Sequence, residues 1–218
     1  MHPHGGQPVV SAGRPLGEGD AVMIMIHGRG AAPRNILDLV PLLDRPGFTY
    51  LAPAAADNTW YPYSFMAETA RNEPGMTSGL HVIGQLVTDL IARGIRKDRL
   101  VLLGFSQGAC LSAEFAVRHA DRYGGVILFS GGLIGPPGTA WDYGGSFRAT
   151  PVFLGCSDVD SHIPKERVID SAGVFRQMGA NVTTRLYPGM DHLVNDDEIA
   201  FAQTIMDRTV ETGPDARH

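Results

Sequence analysis

Six consecutive apolar residues, Ala21-Val22-Met23-Ile24-Met25-Ile26, constrain the fold of this chain more than any other stretch. A strand with one face in water alternates apolar and polar side chains. A run that is apolar at every position reads as a strand covered on both faces, and this one is far too short to span a bilayer. Further short β-type runs follow at 48–52, 99–103, 125–129, 151–155 and 182–187. Helical patterns separate them, at 35–43, 78–93, 107–119, 164–178 and 195–210. In the second of these, Ile83, Leu86, Val87, Leu90 and Ile91 share one face, and Gly94 suits its C-terminal end. Asn195 is placed to cap the last helix, with Asp196, Asp197 and Glu198 complementing its dipole. Strands alternating with helices predict an α/β fold: a mostly parallel central sheet with helices on both faces.

At 218 residues the chain fits one domain, expected over 21–211, with a partly irregular N-terminal extension at 1–20 and a polar, frayed tail at 212–218. Hydrophobic residues make up 44% and charged residues 19%, which excludes a disordered chain. The net charge is −5 and no basic block is present, so nucleic acid is not an expected partner. The two cysteines, Cys110 and Cys156, are too few for a disulfide framework and lack metal-site spacing. They read as small buried side chains of a protein in a reducing compartment. The first twenty residues carry no basic-then-apolar leader, so the expected location is the cytoplasm, without stable membrane association.

In an open α/β sheet, sites form at the carboxyl ends of the strands. After 99–103 comes Gly104-Phe105-Ser106-Gln107-Gly108, a G-x-S-x-G flanked by strand and helix. A serine there sits on a sharp turn, and glycines two before and two after it avoid a collision across that turn. After 151–155, Asp158 and Asp160 lie between a strand end and a helix start; spacing alone allows either to be an acid that orients a histidine, or a cap. After 182–187, His192 follows a Gly-containing loop, so the chain order is serine, acid, histidine. His162 is a weaker competitor for the base. His2, His4, His81, His119 and His218 read as surface or packing residues. After Ile26, His27-Gly28-Arg29-Gly30 is a loop whose backbone N–H groups can face a substrate, so the Arg29 and Gln107 amides are the candidate oxyanion donors. His27 reads as a loop brace; the Arg29 side chain could be solvated or attract an anion. Two stretches lack periodicity, 53–77 and 131–150, and loops that long are usually functional. Trp60, Tyr61 and Phe65 in the first are the candidate pocket wall, against packing beneath the loop as the alternative.

Together HGRGA, LLGFSQGA, the acid loop ending in Ile163-Pro164, and YPGMDH resemble the phospholipase/carboxylesterase family of α/β-hydrolases, from about residue 21 to 210. The resemblance implies that fold and a serine carboxylesterase acting on small to medium acyl esters; neither aperiodic stretch holds a clear amphipathic helix, so no large lid is expected. It implies no metal or other cofactor, a small-molecule ester as partner, and a monomer or homodimer. It places the nucleophile on Ser106, the base on His192 and, four residues before Pro164, the acid on Asp160, with Asp158 as a second, non-catalytic acid. The thioesterase branch of the family tends to carry Leu-Gly-Asp after His-Gly, where this chain has Arg29-Gly30-Ala31, and a small polar residue after the base, where it has Leu193. The alternatives are a thioesterase or lysophospholipase with the same triad, or a non-catalytic small-molecule binder; the complete triad weighs against the last.

Overall fold

The computed structural model describes residues 2–17, 21–43 and 45–211; the tail at 212–218 lies outside the described residues. Seven strands form one sheet: β1 (Val9–Gly13), β2 (Ala21–Ile26), β3 (Phe48–Pro53), β4 (Leu100–Phe105), β5 (Gly125–Phe129), β6 (Pro151–Ser157) and β7 (Asn181–Tyr187). Their spatial order is β1-β3-β2-β4-β5-β6-β7. All pairs are parallel except β1 with β3, where Val9 faces Pro53 and Gly13 faces Thr49. β1 falls within the N-terminal stretch expected to be irregular. An edge strand buries one face only, so it leaves no continuous apolar run to read.

The helices are α1 (Pro33–Leu37), α2 (Val40–Leu43), α3 (Gly75–Ala92), α4 (Gln107–Arg118), α5 (Lys165–Gln177) and α6 (Asp196–Glu211). The single helix expected at 35–43 is broken in two. Pro41 has no N–H to give and its ring crowds the preceding turn, so α1 cannot run on through it. On β2, Val22, Ile24 and Ile26 join a core with Ile83 of α3, Leu111 of α4 and Phe175 of α5. The intervening Ala21, Met23 and Met25 join a second core with Ile36 of α1, Leu43 of α2 and Ile205 of α6. The unbroken apolar run thus has its cause: both faces of the central strand are covered. Asn195 caps α6 as expected. Its Oδ1 accepts from the Glu198 amide at 2.9 Å, while Glu198 Oε2 accepts from the Asn195 amide at 2.9 Å, a reciprocal capping box.

Candidate active site

The turn from β4 into α4 holds Ser106 at φ 55°, ψ −120°, a conformation that costs an ordinary residue on the order of 1–3 kcal/mol. The flanking glycines make it accessible. A Cβ on Gly104 would lie 2.4 Å from the Gly108 carbonyl oxygen, and one on Gly108 would lie 2.1 Å from the Ile26 carbonyl oxygen. The backbones of β2, β4 and α4 therefore meet without a side chain between them. This close approach brings the Ser106 Cβ near Gly28, in the loop after β2.

Asp160 lies after β6 and His192 after β7. The His192 Nδ1–H donates to Asp160 Oδ2 at 2.6 Å. The other carboxylate oxygen accepts the amides of His162 (2.8 Å) and Ile163 (3.0 Å), and the Cys156 thiol points at Oδ2 from 3.7 Å. Burial by itself would raise the Asp160 pKa; the hydrogen bond from His192 and the two amides outweigh it and hold the group below the usual carboxylate value. The Asp160 side chain is 0% exposed and that of His192 20%, so the acid is hidden behind a histidine that reaches solvent. Phe105 packs on the imidazole at 4.9 Å between ring centroids, and His162 stands edge-on to it at 4.9 Å. Asp158 does a different job: its Oδ1 accepts the Gly189 amide at 2.8 Å, tying the acid loop to the loop that carries His192.

Ser106 and His192 line one cavity of about 600 Å³ together with Arg29, Tyr61, Phe65 and Cys110. Among the described residues no hydrogen bond joins Ser106 Oγ to the ring; such contacts often tighten only when substrate is bound. Gln107 opens α4, where an amide has no intrahelical acceptor. The Arg29 amide meets no acceptor among the described residues. Both amides are thus left without a backbone partner among the described residues, a necessary condition for donating to an oxyanion.

The aromatic stretch divides. Tyr61 and Phe65 line the cavity. Trp60 does not: it is fully buried, and its Nε1–H donates to the His27 carbonyl at 3.0 Å. An indole needs an acceptor when buried, and this one finds it beneath the loop rather than at the pocket face. The backbone of 60–64 is held almost residue by residue. Gln107 Oε1 accepts the Trp60 amide at 2.9 Å and its Nε2 donates to the Tyr61 carbonyl at 2.8 Å. Arg29 Nη1 donates to the Pro62 carbonyl at 2.9 Å and Nη2 to the Tyr63 carbonyl at 2.6 Å. Asn72 Oδ1 accepts the Tyr63 amide at 2.9 Å and its Nδ2 donates to the Ser64 carbonyl at 2.9 Å. His4, read from sequence as a surface or packing residue, is buried. Its Nε2–H donates to the Trp60 carbonyl at 2.8 Å, and Nδ1 accepts the Ala56 amide at 3.1 Å.

His27 is the expected brace: Nδ1–H donates to the Gly28 carbonyl at 2.8 Å and Nε2 accepts the Ala55 amide at 3.2 Å. Burial lowers its pKa, which suits the neutral ring this pairing needs. The second aperiodic stretch, 131–150, contributes nothing to the cavity lining. It is stapled by two buried side chains absent from the sequence reading. Arg167 donates to the carbonyls of Leu133 and Gly135, and Glu114 Oε2 accepts the Ile134 amide at 3.3 Å while its Oε1 accepts the Tyr143 hydroxyl at 3.0 Å. A carboxylate within the apolar face of α4 is the one sequence signal that could have revealed this. Both cysteines are free and buried, and burial pushes each thiol up to about 12, which leaves them inert as nucleophiles. Among the described residues no cluster of His, Cys, Asp or Glu could hold a metal ion, and no helix is long and apolar enough to cross a membrane.

A mostly parallel sheet with a serine on a strained strand-to-helix turn places the chain in the α/β-hydrolase fold. Within that fold it belongs to the phospholipase/carboxylesterase family, whose profile matches residues 7–210. The crystal structure of a phospholipase/carboxylesterase from Dyadobacter fermentans is 38% identical, with a TM-score of 0.88 over 92% of this chain and 96% of that one. Acyl-protein thioesterase 1 of Eremothecium gossypii is 28% identical over 159 residues, 66% of this chain and 63% of that protein's length. Lysophospholipase-like protein 1 of mouse is 21% identical over 203 residues, 85% of each chain.

Proposed function

We propose that this protein is a cytoplasmic serine carboxylesterase that hydrolyses small to medium acyl esters, with Ser106 as nucleophile, His192 as general base and Asp160 as the acid behind it. The observation that carries the proposal is the 2.6 Å hydrogen bond from His192 Nδ1–H to a buried Asp160, on a ring that lines the same cavity as Ser106. With Nδ1 engaged, the lone pair of Nε2 is left to take a proton. Ser106 Oγ attacks the ester carbonyl carbon as Nε2 removes its proton. The Arg29 and Gln107 amides stabilise the oxyanion, and loss of one such donor typically costs about 3 kcal/mol. The tetrahedral intermediate collapses, the alcohol leaves with the proton from Nε2, and water releases the acid by the same route. Asp160 holds the imidazole orientation and stabilises its charged form throughout. No step calls on a metal or organic cofactor.

The similarity to acyl-protein thioesterase 1 favours a second reading, thioester hydrolysis by the same triad. Arg29-Gly30-Ala31 and Leu193, which depart from that branch, favour the ester. The test is hydrolysis of p-nitrophenyl esters from acetate to palmitate, and of the matching thioesters, by wild type and Ser106→Ala. Turnover that peaks at short to medium chains and falls to background in the variant supports the proposal. Faster turnover of long-chain thioesters would replace it with the second reading, and undiminished turnover in the variant would remove Ser106 from the mechanism.

A further inference from the structure

The cavity around Ser106 has a composition that the hydrolytic reading does not require. Its lining contains one guanidinium, from Arg29, and two imidazoles, from His162 and His192, but no aspartate or glutamate. This runs against the bias of the chain, which carries 23 acidic residues to 18 basic ones. The cation is also uncompensated. Arg29 has no carboxylate within 4.0 Å among the described residues, a trait it shares with other arginines such as Arg122 and Arg167; what sets it apart is that it lines this cavity. Its contacts are the neutral carbonyls of Pro62 and Tyr63 and the face of the Tyr61 ring, 5.8 Å from the guanidinium carbon. Carbonyls occupy N–H groups without cancelling the charge, and a guanidinium has five N–H donors, so some remain for a ligand.

We propose that the ester taken by this site carries a carboxylate of its own, bound by the Arg29 guanidinium at the cavity wall; this rests on the reading of Ser106 as nucleophile. Two features make Arg29 suited to the task. Its head is already fixed by the two carbonyls, so a ligand need not freeze a mobile side chain. Its backbone amide is the candidate oxyanion donor, which places the guanidinium within one side chain's length of the scissile carbonyl. The matching substrate is therefore short: a half-ester of a small dicarboxylic acid, with the free carboxylate a few bonds from the ester. His162, exposed and edge-on to His192, offers a ring N–H from the acid loop. A fixed guanidinium binding a carboxylate makes charge-assisted, potentially bidentate hydrogen bonds, which a neutral isostere does not.

The experiment compares monomethyl glutarate with the methyl ester of glutaramic acid, identical in shape and without charge, by pH-stat titration. Wild type, Arg29→Gln and Arg29→Lys are each measured at low and high salt. The ratio of kcat/KM for the two esters is the readout, because any loosening of the 60–64 loop affects both. Wild type is expected to prefer the anionic ester at least about tenfold, mainly through KM, with the ratio shrinking at high salt. The ratio should fall to within about threefold in Arg29→Gln and survive in part in Arg29→Lys. A wild type indifferent to charge, or an undiminished ratio in Arg29→Gln, overturns the inference. Turnover of p-nitrophenyl acetate but of neither glutaryl ester overturns it too, and leaves the hydrolase reading standing. Absence of turnover on all three esters removes both.

Discussion

Asp160 faces His192 with one oxygen and the backbone of its own loop with the other. The same carboxylate therefore orients a ring and shapes the turn into α5. In Asp160→Asn, the replacement can offer an amide where the imidazole N–H needs an acceptor, which favours the wrong tautomer. We expect kcat on p-nitrophenyl acetate to fall about 10³–10⁴-fold. The folded-state pKa of Asp160 is lowered, so its contribution to stability is present above the ordinary carboxylate value and is lost as pH falls through the lowered one. Urea midpoints of wild type and Asp160→Asn should differ at pH 6 and converge towards pH 2. A gap that stays constant would show that Asp160 titrates alike in both states.

Glu198 behaves oppositely. Burial pushes its carboxyl up to about 7, against the opposing hydrogen bond from the Asn195 amide. Its Oε1 has no hydrogen-bond partner among the described residues and sits in space that only a glycine at 155 leaves open, since a Cβ there would lie 2.2 Å away. An acid whose folded pKa is raised binds a proton that the unfolded chain releases near pH 4–5. Stability should therefore fall as pH rises from about 4.5 to 7 and level off above. Glu198→Gln keeps an oxygen for the Asn195 amide and removes the titration. Thermal melts should show it near wild type at pH 5 and more stable by about 1–3 kcal/mol at pH 8. Equal pH profiles for the two proteins would count against a shifted Glu198.

The bonds from Gln107 to the Trp60 amide and the Tyr61 carbonyl make a separable prediction. Gln107→Ala keeps the backbone amide but strands two buried backbone groups, at about 1–3 kcal/mol each. Asn72→Ala should act alike on Tyr63 and Ser64. Both variants are expected to lose stability in urea and to exchange the amides of Trp60, Tyr61, Tyr63 and Ser64 faster with deuterium. If exchange stays at wild-type rates, these side chains are not what holds the wall.

Trp60 and Phe65 should separate stability from selectivity. Trp60→Ala removes a fully buried indole and should cost about 3–5 kcal/mol, with the acyl-length optimum unchanged. Phe65→Ala opens the cavity and should shift the optimum to longer acyl groups. A moved optimum in Trp60→Ala would put the indole back at the pocket.

Much of this was legible beforehand, for physical reasons. The glycines at 104 and 108 announce a backbone crossing because no other residue fits there. The run Ala21–Ile26 announces a doubly covered strand because no other position tolerates it. The clamps on 60–64 leave no comparable trace. Gln107 and Tyr61 are 46 residues apart, and a polar residue in the first turn of a helix is ordinary until the fold brings a loop against it. Trp60 departs from its expected place because a tryptophan in an aromatic stretch looks the same from sequence whether it faces a cavity or a carbonyl. The apolar spacing at 35–43 reads as one helix, but Pro41 divides it.

The buried imidazole of His4 joins the first turn of the chain to the carbonyl of Trp60 and the amide of Ala56. The segment around His4 is therefore a foundation stone of the cavity wall, although none of its residues lines the cavity. Changes that remove His4 would alter the instrument being measured. Kinetics for this protein are best compared between forms that keep His4 and its neighbours unchanged.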